Sequence, residues 1–136
     1  MKRLLSVVFL GSLIANFTVS MNSSFAQPAT VISQNVKCKP DGNTLEMRKC
    51  ADDQYAIADK KLNQTYQQLI SQLSPQRKQR LIEAQRAWIS FRDKTCQFES
   101  SQMLGGTAEP LLRTTCLTRV TQQRVQDLQN YLADLK

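Results

Sequence analysis

The chain has 136 residues, eighteen Lys and Arg against eleven Asp and Glu, a formal charge of +7 and no histidine. Without histidine there is no Ser-His or Cys-His nucleophile pair, no imidazole metal site and no imidazole pH switch. The length supports one small domain with one core once an N-terminal segment is set aside.

That segment reads as an export signal. Lys2 and Arg3 precede an apolar stretch, Leu4 to Val19, and Ser24-Phe25-Ala26 puts small residues where a signal peptidase reads. A signal peptide over 1–26 is expected, cleaved between Ala26 and Gln27. The alternative, a membrane anchor, is disfavoured because the run is shorter than the ~20 residues that span a bilayer. Ser12, Asn16, Thr18 and Ser20 also interrupt it, and no cysteine precedes Cys38 to carry a lipid. The expected product is soluble, periplasmic or secreted, and loss of Lys2 and Arg3 lowers its formal charge to +5.

Residues 27–42 form a flexible leader and arm: Gln27 to Lys37 is polar without helical period, and Lys39 to Asn43 is a turn. The helical domain is expected over 43–136. Asn43 with Glu46 three residues on makes a capping box. Ala51, Tyr55, Ala58, Leu62, Tyr66, Leu69 and Leu73 then recur at three- and four-residue intervals, which predicts a first helix over about Thr44 to Leu73. Ser74-Pro75 is a cap followed by proline at the first helical position. Leu81, Ala84, Trp88, Phe91, Thr95 and Phe98 are expected on the buried face of a second helix ending near Ser100. The near-absence of a joint favours a hairpin over a bend at Pro75. After Gly105-Gly106, a third helix starts near Glu109 or Pro110, with Leu112, Cys116, Val120, Arg124, Leu128, Tyr131 and Leu135 in phase. The fold class is all-α: a small three-helix domain, stapled by disulfides, with a short N-terminal arm.

Four cysteines, Cys38, Cys50, Cys96 and Cys116, allow three pairings. An exported chain favours disulfides, and the spacing contains no C-x2-C pair, so a zinc site is disfavoured and no metal or cofactor is expected. An antiparallel arrangement around Gly105-Gly106 brings Cys96 within reach of Cys116. The arm can fold Cys38 onto Cys50. The expected pairs are therefore Cys38–Cys50 and Cys96–Cys116, with structural rather than redox roles.

The first helix carries DKKLNQTY from Asp59 to Tyr66, with Leu62 and Asn63 inside it. The second carries QRAWISFRDKTC from Gln85 to Cys96, including Trp88, Arg92 and Asp93. The third offers Cys116-Leu117-Thr118, then Arg124 and Leu128. Polar groups beside core positions predict helices joined by side-chain hydrogen bonds as well as by apolar packing. With the early cysteine pair, these motifs resemble the lysozyme-inhibitor LprI-like family from Cys38 to Leu128. Thr118 follows Cys116 by two positions where the family pattern has four. The resemblance implies a small, non-enzymatic, exported protein of the bacterial envelope whose partner is lysozyme or another envelope protein. At +5 the domain is repelled at long range from a strongly basic lysozyme, so docking would use local acidic groups such as Asp52-Asp53 or Glu99.

Within the motifs, Trp88 is expected in the core and Arg92 is expected to satisfy Asp59 or a helix carbonyl. Asp59, Glu83 and Asp93 supply carboxylates, but no further feature of a glycosidase converges on them. Two candidate partner-binding features remain. Gly105 and Gly106 open a loop, Met103 to Glu109, suited to close approach. Arg77, Lys78, Arg80 and Arg86 form a basic run, and the alternative function it supports is an adaptor for anionic envelope polymers. Nucleic acid is not an expected partner, because no aromatic stacking platform accompanies the charge.

Overall fold

A computed structural model describes residues 38–39 and 41–135. The expected signal peptide, most of the leader, Pro40 and Lys136 lie outside the described residues. The elements are α1 (Thr44–Ser71), α2 (Pro75–Ser100), one 3-10 turn (Ser101–Met103) and α3 (Glu109–Ala133), with no strand among the described residues.

Local chemistry sets the helix ends. The Glu46 backbone N–H donates to Asn43 Oδ1 at 3.0 Å and the Asn43 N–H donates to Glu46 Oε2 at 3.0 Å, completing the expected capping box. Pro75 begins α2, but the Ser74 hydroxyl makes no capping bond. The proline therefore starts that helix without help from its neighbour. The regular part of α1 stops at Ser71, because the Gln72 and Leu73 amides tighten onto Leu69 and Ile70 carbonyls at 3.1 and 3.4 Å. Leu73 stays buried in the turn.

The chain folds as an antiparallel hairpin, α1 then α2, and α3 returns parallel to α1. α3 packs against both partners, whereas α1 and α2 face one another across a groove. Thr114 Oγ1 of α3 donates to Asp52 Oδ1 of α1 at 3.2 Å, which sets the register of the parallel pair. Leu62, Leu69, Leu73, Leu81, Val125 and Leu128 form one core cluster toward the hairpin end. Cys96, Cys116 and Val120 form a second, near the far end, and Trp88 packs against both. Small residues let α1 and α3 approach closely: Ala51, Ala58 and Thr65 on one, Thr118 and Thr121 on the other, all buried.

Both expected disulfides are present, Cys38–Cys50 with Cα atoms 5.7 Å apart and Cys96–Cys116 with Cα atoms 5.4 Å apart. The first ties the arm to α1; the second ties α2 to α3.

The face expected to bury α2 is only partly the one that does. Leu81 is buried and Trp88 half-buried, but Ala84 is exposed, Phe91 is 59% exposed and Phe98 is 79% exposed. The disulfide decides this. Cys96 has to point at α3, and Phe98, two residues on, stands roughly 200° around the helix from it. The inward stripe is instead Leu81, Gln85, Trp88, Arg92 and Cys96. In α3, Tyr131 is likewise exposed, while Thr118, Thr121 and Val125, outside the apolar pattern, are buried.

Candidate functional site

Two places gather the residues singled out by the sequence. The first is the α1/α2 groove, ≈ 500 Å³, where Asp59, Leu62, Asn63, Tyr66 and Gln67 face Ile82, Gln85, Arg86, Ile89 and Arg92. Six of the motif positions therefore share one surface: Asp59, Leu62, Asn63, Tyr66, Gln85 and Arg92. Asn63 Nδ2 donates to Asp59 Oδ2 at 3.1 Å, one turn along the same helix. Gln67, Ile82 and Ile89 were not legible as lining positions, although Ile82 and Ile89 repeat at seven residues beside Arg86.

Trp88 is the hub behind that groove. The Arg92 guanidinium lies 5.2 Å from its ring centroid and the Arg124 guanidinium 5.8 Å, each a cation over an aromatic face. Arg92 also reaches Tyr55 at 6.0 Å. Its carboxylate partner is Asp93, not the expected Asp59: Nε donates to Asp93 Oδ1 at 2.9 Å, and Nη2 completes the ion pair at 2.8 Å. The adjacent residue on the same helix is nearer than the one across the groove, and Asn63 already occupies Asp59. Burial pushes the Tyr55 phenol up from its ordinary pKa of 10.0, with Arg92 pulling the other way. The fold thus holds Tyr55 neutral past that value and loses stability as pH climbs beyond it.

Arg124 is the one buried cation among the described residues, 9% exposed. Its Nε donates to Gln85 Oε1 at 3.0 Å, the expected polar link between helices. Gln85→Ala leaves that donor without an acceptor and should cost about 1–3 kcal/mol. The check is a lowered urea midpoint at unchanged m-value.

The second place is the tip that joins α2 to α3. Gly105 sits at φ 73°, a left-handed conformation that favours glycine. Its N–H donates to Glu109 Oε2 at 2.7 Å, and the Gly106 N–H donates to the Met103 carbonyl at 2.8 Å. Beneath the loop lies the Cys96–Cys116 bridge, both sulfurs in buried residues. Beside it Arg119 Nη2 donates to both Glu99 oxygens, at 2.7 and 2.8 Å. This braced loop holds Leu104 78% exposed and Met103 50% exposed, with Phe98 close in sequence. The sequence pointed to its glycines but not to its apolar side chains.

The basic run does not form one patch. Arg86 lines the groove, while Arg77 and Arg80 are exposed on the outward stripe with Ala84, Ala87 and Phe91. Lys78 is half-buried. The three carboxylates weighed for hydrolysis each have a local partner: Asp59 holds Asn63, Asp93 holds Arg92, and Glu83 accepts from Gln79 at 2.9 Å on an exposed face. Among the described residues no three His, Cys, Asp or Glu side chains gather as metal ligands. No described helix is long and apolar enough to cross a membrane.

An uncharacterized protein of Rhizobium meliloti (strain 1021) is 29% identical over 118 residues, which cover 77% of this chain and 85% of that relative. No solved structure matches the chain. The family described as Lysozyme inhibitor LprI matches residues 36–128, a span that runs from the arm through all three helices to the end of the core in α3. A match over that span, with six motif residues facing one groove and its four cysteines paired, places this chain in the LprI lysozyme-inhibitor family.

Proposed function

We propose that the protein is an exported, non-enzymatic lysozyme inhibitor that meets its target with the tip between α2 and α3. The observation that carries the reading is the braced loop with Leu104 and Met103 held outward. An inhibitor has to occupy a cleft, and a loop already fixed in shape loses little freedom on docking. Apolar side chains offered from such a loop supply surface that docking removes from water. The signal-like segment over 1–26 supports export.

The distribution of charge supports the same orientation. Four of the eleven carboxylates, Asp59, Glu83, Asp127 and Asp134, belong to the hairpin half, which also carries Lys60, Lys61, Arg77, Lys78, Arg80, Arg86 and Arg124. Asp52, Asp53, Glu99 and Glu109 lie toward the tip. Arg48, Lys49, Arg113 and Arg119 share that end, and Lys49 and Arg119 pair with Asp53 and Glu99. A basic enzyme approaching the tip therefore meets a near-balanced surface, with the excess positive charge directed away. The long-range repulsion expected from +5 is thereby reduced in this approach.

The test is clearance of a bacterial cell-wall suspension by a panel of lysozymes. Oxidised protein at micromolar concentration should slow clearance. Leu104→Asp should weaken inhibition about tenfold or more, since it puts a charge into a desolvated contact. Arg80→Glu, at the other end, should leave it unchanged. Equal inhibition by Leu104→Asp and the parent protein would reject the tip. The adaptor reading predicts the reverse pattern: binding to anionic polymers that falls steeply with salt and is lost in Arg80→Glu.

A further inference from the structure

The α1/α2 groove stands apart from the tip and has no part in the reading above. Its α2 wall carries two guanidinium groups, Arg86 and Arg92, and only the second has a carboxylate partner. Arg86 lines the groove and has no hydrogen-bond or ion-pair partner among the described residues. Arg92, its side chain 12% exposed, spends Nε and Nη2 on Asp93. Arg124, buried behind the wall, has only the neutral Gln85 as acceptor and, like Arg92, lies against the Trp88 ring. Two cations against one indole and a third at the rim, with Asp93 paired to Arg92 alone, repel one another in a partly dry setting. A single negative charge arriving beside Arg86 and Arg92 relieves that repulsion and is met by the open fork of Arg86.

The rest of the lining narrows the ligand. Leu62, Tyr66, Ile82 and Ile89 give apolar walls for a side chain. Gln67 on the α1 wall has an amide that can both donate to and accept from a peptide bond. Asp59, also on that wall, disfavours a multiply charged anion such as phosphate. A volume of ≈ 500 Å³ falls within the range of small-ligand sites. We infer that this groove binds the free carboxylate end of a short peptide, the carboxylate on Arg86 and Arg92 and the last side chain between Ile82, Ile89 and Tyr66.

The chain contains one tryptophan, Trp88, packed behind the groove against the Arg92 guanidinium, so its emission responds when the setting of Arg92 changes. Oxidised full-length protein is titrated with N-acetyl-leucyl-alanine as the free acid, with the same dipeptide as its C-terminal amide, and with inorganic phosphate. The free acid should change Trp88 emission saturably, at micromolar to low-millimolar concentration, and more weakly as salt rises. The amide should bind about tenfold more weakly or not at all, as loss of a charge-assisted contact requires, and phosphate should give no saturable change. Arg86→Gln, an exposed position whose substitution leaves the core intact, should weaken the acid about tenfold. Leu104→Asp should bind it as the parent does, which separates this site from the tip. Acid and amide acting alike, no response to the acid, or full affinity in Arg86→Gln would each overturn the inference.

Discussion

Replacing Cys96 and Cys116 together by serine should lower stability by about 3 kcal/mol, the loop-entropy value for a crosslink of this span. The two residues are 20 apart in sequence, and they are 0% and 3% exposed. The loss is therefore not a surface event. It releases the rotational setting of α2, removes part of the second core cluster and leaves two hydroxyls where sulfur was packed. For a domain of this size calorimetry should show Tm reduced by roughly 10–20 °C. Removing Cys38 and Cys50 should do less to the core. Cys38 is exposed and Cys50 half-buried at the start of α1, so that change frees the arm and leaves the helices packed. Equal losses from the two double variants would mean that α2 is held by something other than its bridge to α3.

Leu128→Ala should cost about 2–5 kcal/mol, while Phe98→Ser should stay within about 0.5 kcal/mol of the parent. Leu128 is 0% exposed, in the cluster shared by all three helices, and truncation there opens a cavity that rigid neighbours cannot fill. Phe98 is the larger side chain but is 79% exposed, so folding takes little of its surface from water. Urea unfolding followed by circular dichroism measures both, with an unchanged m-value expected for each. A large loss in Phe98→Ser would restore the face of α2 that apolar periodicity suggested and would displace the disulfide as the determinant of its rotation.

Those two variants also mark how far the sequence could be read. α1 was legible because its apolar positions coincide with its contacts: Ala51, Ala58, Leu62, Leu69 and Leu73 are all buried. Its start was legible in the Asn43–Glu46 pair, and the start of α2 in Pro75. The cysteine pairs followed from an antiparallel turn at Gly105-Gly106 and a short arm. α2 was less legible because its inward face is partly polar. Gln85 and Arg92 face inward, through Arg124 and Trp88, where periodicity placed Phe91 and Phe98. A single helix pattern does not reveal which of two stripes a crosslink will select. The buried threonines of α3 escaped for a related reason: they sit where close helix approach demands small side chains, and a hydrophobic count passes over them. The motif residues were identifiable as a set, but the convergence of six of them on one groove depends on the spacing of α1 and α2, which no local pattern encodes. The apolar character of the tip was similarly hidden, since Leu104 lies inside the expected loop but its exposure depends on how that loop is braced.

Hydrogen exchange of the oxidised protein, alone and with equimolar lysozyme, tests most directly the claim that the tip is the surface that meets the enzyme. The account predicts slowed exchange confined to residues 98–112, the end of α2, the loop and the first turn of α3. Protection centred on residues 77–92, or no protection anywhere under conditions where lysozyme is inhibited, would contradict it.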